Sequence, residues 1–329
     1  MEGSQLFRGG LLILLGIALV GGVSRLLGLG GVEEGSGRDT PGAAQVSRKG
    51  ADGVAALLGE PRAEPCRVAQ EGRPLPAEVH ESSGVAVSRA HDGVLWTHND
   101  SGEPLLYAVG RDGALAGRIR VRGARVEDWE DVALAPCPGG DCLYVGDIGD
   151  NEARRRSVTV YRVREPAAGD RETAPAEAFH ARYPDGPHDA EAMFVLPGGE
   201  IYLLTKGETG PITLYRFPVG AQPGSMATLE RVREFASDEV ERDDRVTGAD
   251  ASPDGRWIAV RTLNRVSLYA ASDFLGGGAH PARRMDLSPL KEAQGEGVGF
   301  GENGLLALTS EGGKKKDAAT FAMLQCDLQ

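Results

Sequence analysis

Five times between Ser82 and Glu311 the chain repeats one rough unit, and no other feature limits its fold as much. Each unit opens on a short apolar strand that starts with a small or acidic residue: SSGVAVS at 82, WEDVALA at 129, AEAMFVL at 190, ADASPDG at 249 and GEGVGFG at 295. A turn follows, usually with glycine (HDG, PGG, PGG, PDG, ENG). A second strand comes next (VLWTHND, LYVGDIGDN, IYLLTKGE, WIAVRTLN, LLALTSEGG), then a third (LLYAVG, VTVYRV, ITLYRF, VSLYAA, TFAMLQC). Most units add a more variable fourth, such as GRIRVRG. The spacing, roughly 46 to 61 residues, suits a four-stranded propeller blade and no helical repeat.

The predicted fold class is therefore all-β, a propeller of five four-stranded blades, with a sixth, degenerate blade in the long second or third unit as the alternative. The last unit lacks a fourth strand, and the segment from Cys66 to about Val79 is free to supply one. Ring closure by strands from both termini would remove the exposed edge of an open sheet. The cysteines agree with this. Cys66 and Cys326 stand at the two ends of the repeat region, and Cys137 and Cys142 flank the turn PGGD. An even set so placed predicts two bridges and an oxidising compartment.

Ahead of the repeats, Arg8 precedes an uncharged, mostly apolar run from Gly9 to Val23. That is the length of a signal core, and Leu26 to Leu29 could extend it toward a membrane span. Three regions are expected: a signal or signal-anchor segment over 1–31, a low-complexity linker over 32–64 and the propeller over 65–329. The protein would be exported and monomeric, either held at the membrane by its N-terminus or released to the periplasm or extracellular space. A formal charge of −12 argues against gripping nucleic acid through its phosphates.

Chemistry concentrates on one face. In a propeller, the loop between the second and third strands of a blade shares a face with the loop entering the next blade. GDIGDN, residues 146–151, is such a loop, and its counterparts are HNDSGEP, KGETG, TLNR and SEGGKKK. Aligning the units puts Ser83, Glu130, Glu191, Asp250 and Glu296 at equivalent places at the channel mouth. Four converging carboxylates repel one another unless a cation relieves them, and oxygen donors suit Ca²⁺. The expected metal ligands are Glu130, Glu191, Asp250 and Glu296, with Asp147, Asp150 and Asn151 from GDIGDN. The competing reading is that these acids only cap strands and turns. His188, Asp189, Lys206 and Arg261 are the catalytic candidates, with Lys206 and Arg261 available either for an anionic group or for pairing with the carboxylates. Trp129 serves either as a sugar platform or as a core aromatic. G-x-S-x-G, P-loop and H-E-x-x-H motifs are absent from the sequence. The KKK run at 314–316 reads as a solvated loop.

Together HNDSG, DWED, GDIGDN, YPDGPHDAEA, VTGADASPDG and GEG resemble a group of exported bacterial β-propeller proteins, over about Ser82 to Glu311. That group implies the fold and export but no activity. More distantly, the layout is similar to calcium-dependent propeller phytases and gluconolactonase-type lactonases, which implies a divalent metal on the acidic face and hydrolysis. Those enzymes have six blades against the five counted here. Two functions remain open: an envelope binding module for a small anionic ligand, a glycan or an envelope protein, and a metal-dependent hydrolase of a phosphoester, lactone or glycoside.

Overall fold

The computed structural model describes residues 66–236, 238–278, 280–313 and 317–328. The chain divides into two units, Met1–Gly42 and Ala43–Gln329, and every described residue belongs to the second. The expected signal segment, the linker and the Lys314–Lys316 run lie outside the described residues. Among the described residues, no helix is long and apolar enough to cross a membrane.

Five sheets of at least four strands form the five blades of a propeller. Blade 1 is β2 (Ser82–Val87), β3 (Val94–Asn99), β4 (Leu105–Gly110) and β5 (Leu115–Arg120). Blade 2 is β6 (Trp129–Cys137), β7 (Gly140–Asp147), β8 (Val158–Arg164) and β9 (Glu177–Arg182). Blade 3 is β10 (Ala190–Val195), β11 (Ile201–Thr205), β12 (Ile212–Arg216) and β14 (Glu230–Ala236); β13 (Met226–Thr228), on the way to β14, pairs in parallel with β9 and widens blade 2. Blade 4 is β15 (Val246–Ala251), β16 (Trp257–Thr262), β17 (Arg265–Ala270) and β18 (Arg283–Asp286), with the short helix α1 (Ala271–Gly276) after β17. Blade 5 is β19 (Gln294–Phe300), β20 (Leu305–Glu311) and β21 (Thr320–Gln325), and its outermost strand is β1 (Arg67–Pro74) from the other end of the chain.

The ring thus closes as the repeats predict. β1 pairs antiparallel with β21, Arg67 against Gln325 and Pro74 against Thr320. The seam carries the Cys66–Cys326 disulfide, and Cys137–Cys142 closes the β6–β7 hairpin.

The innermost strands touch in the order β2, β6, β10, β15, β19 and back to β2. Those of blades 1, 3 and 4 are buried at every residue, whereas the outermost β1 and β5 are mostly exposed. Five blades leave little room at the axis, so neighbouring backbones meet directly. A Cβ at Gly84 would fall 2.6 Å from the amide nitrogen of Val132, and one at Gly299 would fall 2.3 Å from the carbonyl oxygen of Val85. Glycine in these strands is a condition of the narrow ring. Between blades lies the apolar core, as in the cluster of Trp96, Leu106, Trp129 and Val145. Trp129 is fully buried there and donates from Nε1 to the carbonyl oxygen of Arg125 at 2.9 Å, so it is a core aromatic.

Candidate functional site

Each innermost strand loses register with its second strand near its start, between Ser82 and Val85, Trp129 and Asp131, Ala190 and Ala192, Val246 and Gly248, and Gly295 and Val298. A β-bulge re-aims the extra side chain. The bulged positions hold Ser83, Glu130, Glu191, Thr247 and Glu296, and the last four line one cavity of about 270 Å³ at the channel mouth. Asp250 does not belong to this set. It sits three residues past the bulge, with Thr247 in the expected place, and its carboxyl accepts from the backbone N–H of Ala251 at 2.8 Å and of Phe300 at 2.7 Å. It braces β15 against β19.

Four further carboxyls reach the cavity, those of Asp100, Asp128, Glu208 and Glu311. Its basic side chains are Lys206, Arg242 and Arg245. Lys206 Nζ stands 2.6 Å from Glu191 Oε1, 3.2 Å from Glu208 Oε2 and 3.7 Å from Asp189 Oδ2. Arg245 pairs with Glu208 at 2.6 Å. Among the described residues, no ion pair reaches Asp100, Asp128, Glu130, Glu296 or Glu311. Gln294 instead donates its amide to both Glu296, at 2.7 Å, and Glu311, at 2.9 Å.

Burial without counter-charge decides the electrostatics. Burial, then Glu191 and Asp128, push Glu130 well above the carboxylate range; burial, then Glu191 and Glu311, do the same to Glu296. Burial raises Glu191 to about 7 against the pull of Lys206. Burial also lifts Asp100 to about 7, helped by a hydrogen bond to Glu81, and Glu311 to about 7, helped by the Asp100 charge. Burial opposes the charge on Lys206, but Glu191 first, then Asp189 and Glu208, hold the ammonium above the usual lysine range. The linkage sign follows. Between their ordinary values near 4 and about 7, Asp100, Glu191, Asp250 and Glu311 hold more protons folded than unfolded, so unfolding free energy falls as pH rises through that window. Thermal melts of the chelated protein from pH 5 to pH 8 should show a decreasing midpoint; a midpoint rising with pH would contradict this electrostatic picture.

GDIGDN forms a platform beneath these groups. Asp147 accepts from the backbone N–H of Asp128 at 3.1 Å and pairs with Arg155 at 2.9 Å. Asp150 accepts from the backbone N–H of Arg155 at 2.6 Å, and Ile148 is buried in the core. Arg155 also donates to the carbonyl of Gly149 at 2.7 Å. Gly149 lies flat under the acids: a Cβ there would sit 2.3 Å from Glu130 Oε1 and 2.5 Å from Asp128 Oδ2. The small residue is required by the carboxyls packed on it. Of the loop's polar side chains only Asn151 lines the cavity, 3.5 Å from Lys206 Nζ.

The catalytic candidates separate. Lys206 is in the cavity. Asp189 lies just behind it, its Oδ1 accepting from the backbone N–H of Asp150 at 2.8 Å. His188 turns away to Asp185 and the Tyr215 hydroxyl, each at 3.0 Å. Arg261 is fully buried and serves as a strut, donating to the carbonyls of Gly297 at 2.8 Å and Thr309 at 2.9 Å and pairing with Glu292. Asp100, Asp128, Glu208, Gln294, Glu311, Arg242 and Arg245 were not expected. Asp100, Glu208 and Glu311 carried a signal, since each stands in a loop equivalent to GDIGDN, and Asp128 opens the DWED motif.

No family model and no curated protein sequence matches this chain. Similar solved structures include the PQQ-bound aldose sugar dehydrogenase of Streptomyces coelicolor (11% identity, 79% of this chain and 99% of that one, TM-score 0.44). A gluconolactonase of Xanthomonas campestris is similar at 14% identity over 80% of this chain and 96% of that one, with a TM-score of 0.44. A glucose dehydrogenase is similar at 9% identity over 78% and 99%, with a TM-score of 0.48.

Proposed function

We propose that the chain is an exported binding module whose acidic cup takes a hard divalent cation, Ca²⁺ by its donor chemistry, together with a small oxygen-rich ligand. The carrying observation is the set of five cup carboxyls, Asp100, Asp128, Glu130, Glu296 and Glu311, gathered around one cavity without a basic partner among the described residues. The donors fit a hard cation. Every donor atom offered by the lining side chains besides the basic ones is a carboxyl, amide or hydroxyl group, and neither histidine nor cysteine takes part. As the side chains stand, no group of three or more such residues is arranged to hold an ion among the described residues. Binding therefore calls for the glutamates to rotate toward one another. Export is supported by the two disulfides, and the N-terminal apolar run is its proposed signal or anchor.

Hydrolysis of a phosphoester, lactone or glycoside is a second reading with one observation in its favour. Asp100 and Glu81 are neighbouring carboxyls driven apart, burial raising the first and the Asp100 side chain lowering the second, and carboxyl pairs driven apart in this way suit acid–base work.

Calorimetric titration of Ca²⁺ into the chelated protein, with the thermal midpoint followed in the same sample, tests the first reading. Saturation should raise the midpoint, with about 2.7 kcal/mol of stabilisation at a hundredfold excess over Kd. Neither heat nor a shift at roughly 10 mM Ca²⁺, above the range of weak extracellular sites, would overturn it.

A further inference from the structure

The cup is not uniformly acidic. Its carboxyls without a basic partner among the described residues come from blades 1, 2 and 5, whereas Lys206, Arg242 and Arg245 form an arc from blades 3 and 4. Arg242 opens and Arg245 caps a single 3₁₀ turn, Arg242–Asp244, closed by the Arg245 N–H on the Arg242 carbonyl at 3.3 Å. In such a turn residues three apart eclipse one another, which explains why both reach the same cavity.

Their bonding is incomplete. Arg245 spends one terminal nitrogen on Glu208, while its Nε–H is shut off from solvent and has no acceptor. Arg242 has neither an ion pair nor a side-chain hydrogen bond among the described residues, although it stands on the rim of a cavity rich in carboxyls. The guanidinium fork matches a carboxylate or phosphate in shape and charge. Among the described residues Leu263 is the only apolar side chain of the lining, so the remaining surface offers hydrogen-bond partners to hydroxyls. A cavity of about 270 Å³ is small for a ligand pocket and suits one sugar-sized molecule.

The geometry points to a monosaccharide-sized, hydroxylated ligand carrying one anionic oxygen group, with Arg242 and Arg245 gripping that group and the carboxyl wall meeting its hydroxyls. This rests on the cup being the ligand site, and it names the class of molecule that accompanies the cation.

Glucose, glucuronate and glucose 6-phosphate differ only at one carbon and make a matched set of probes. Each is titrated into the full chain with and without saturating Ca²⁺, alongside the Arg242→Gln variant, whose exposed position leaves the fold intact. At least one anionic sugar should bind tenfold or more tighter than glucose, and Arg242→Gln should erase that preference without weakening Ca²⁺ binding or lowering the thermal midpoint. Whichever anion wins identifies carboxylate or phosphate as the recognised group. Equal binding of all three sugars, no binding of any, or an Arg242→Gln affinity within twofold of wild type would overturn the inference. Anion binding that depends on Arg242 in a protein that takes no Ca²⁺ would uphold the arc and remove the cation reading; Ca²⁺ binding without sugar binding would do the reverse.

Discussion

Replacing Asp131 with alanine is expected to cost about 3–5 kcal/mol, because three buried backbone donors lose their acceptor at once. Asp131 is fully buried at the axis. Its Oδ2 accepts from the N–H of Met193 on β10 at 2.8 Å and of Ala249 on β15 at 3.2 Å, and its Oδ1 accepts from Val132 at 2.8 Å. One side chain of β6 thereby ties two other blades, one of them not its neighbour in the ring. Burial pushes this carboxyl well above its ordinary range, ahead of the opposing pull from the amides it accepts. In a domain of this size the loss corresponds to a fall of roughly 10 °C in thermal midpoint. Asparagine keeps one acceptor and should lose about half as much. Calorimetric melts of both variants decide the matter: an alanine variant within about 1 kcal/mol of wild type would mean that blade packing alone holds the hub.

The architecture was legible because blade strands declare themselves by apolar runs and turn glycines. Four of the five predicted openings coincide with β2, β6, β10 and β19, whereas the one placed at 249 starts three residues inside β15, and the lone strand missing from the last unit is the one β1 supplies. The mouth was less legible. Glu130, Glu191 and Glu296 do converge, but matching acid to acid chose Asp250 on β15 where the bulge selects Thr247. A bulge is one residue with no hydrophobic signature, and a slip of that kind redirects every side chain near it. β13 was also invisible, being three residues inside a connection and paired with a neighbouring unit. Of the GDIGDN acids, sequence reveals the carboxylates but not that an internal cation engages Asp147 and a backbone N–H engages Asp150.

Arg155 is that cation, and Arg155→Met should be the second most damaging change, at about 3–4 kcal/mol. In the sequence it lies within NEARRR beside Arg154 and Arg156, and nothing in the run marks it out. In the fold its side chain is only 11% exposed and reaches Asp147 Oδ1 at 2.9 Å, the Gly149 carbonyl at 2.7 Å and Glu127 at 3.3 Å. Methionine preserves much of the volume but leaves Asp147 buried with only the Asp128 N–H for company. Breaking one partner of a buried pair costs far more than the pair contributes net, so the double variant Arg155→Met with Asp147→Asn should recover part of the loss. The cup should register the change too. Once Arg155 no longer holds the Gly149 carbonyl, the surface under Glu130 and Asp128 moves, and Ca²⁺ affinity should fall at least tenfold in the single variant. A stability loss below about 1 kcal/mol would show that the GDIGDN loop holds itself. A large loss with Ca²⁺ affinity unchanged would show that the platform and the cation site are independent.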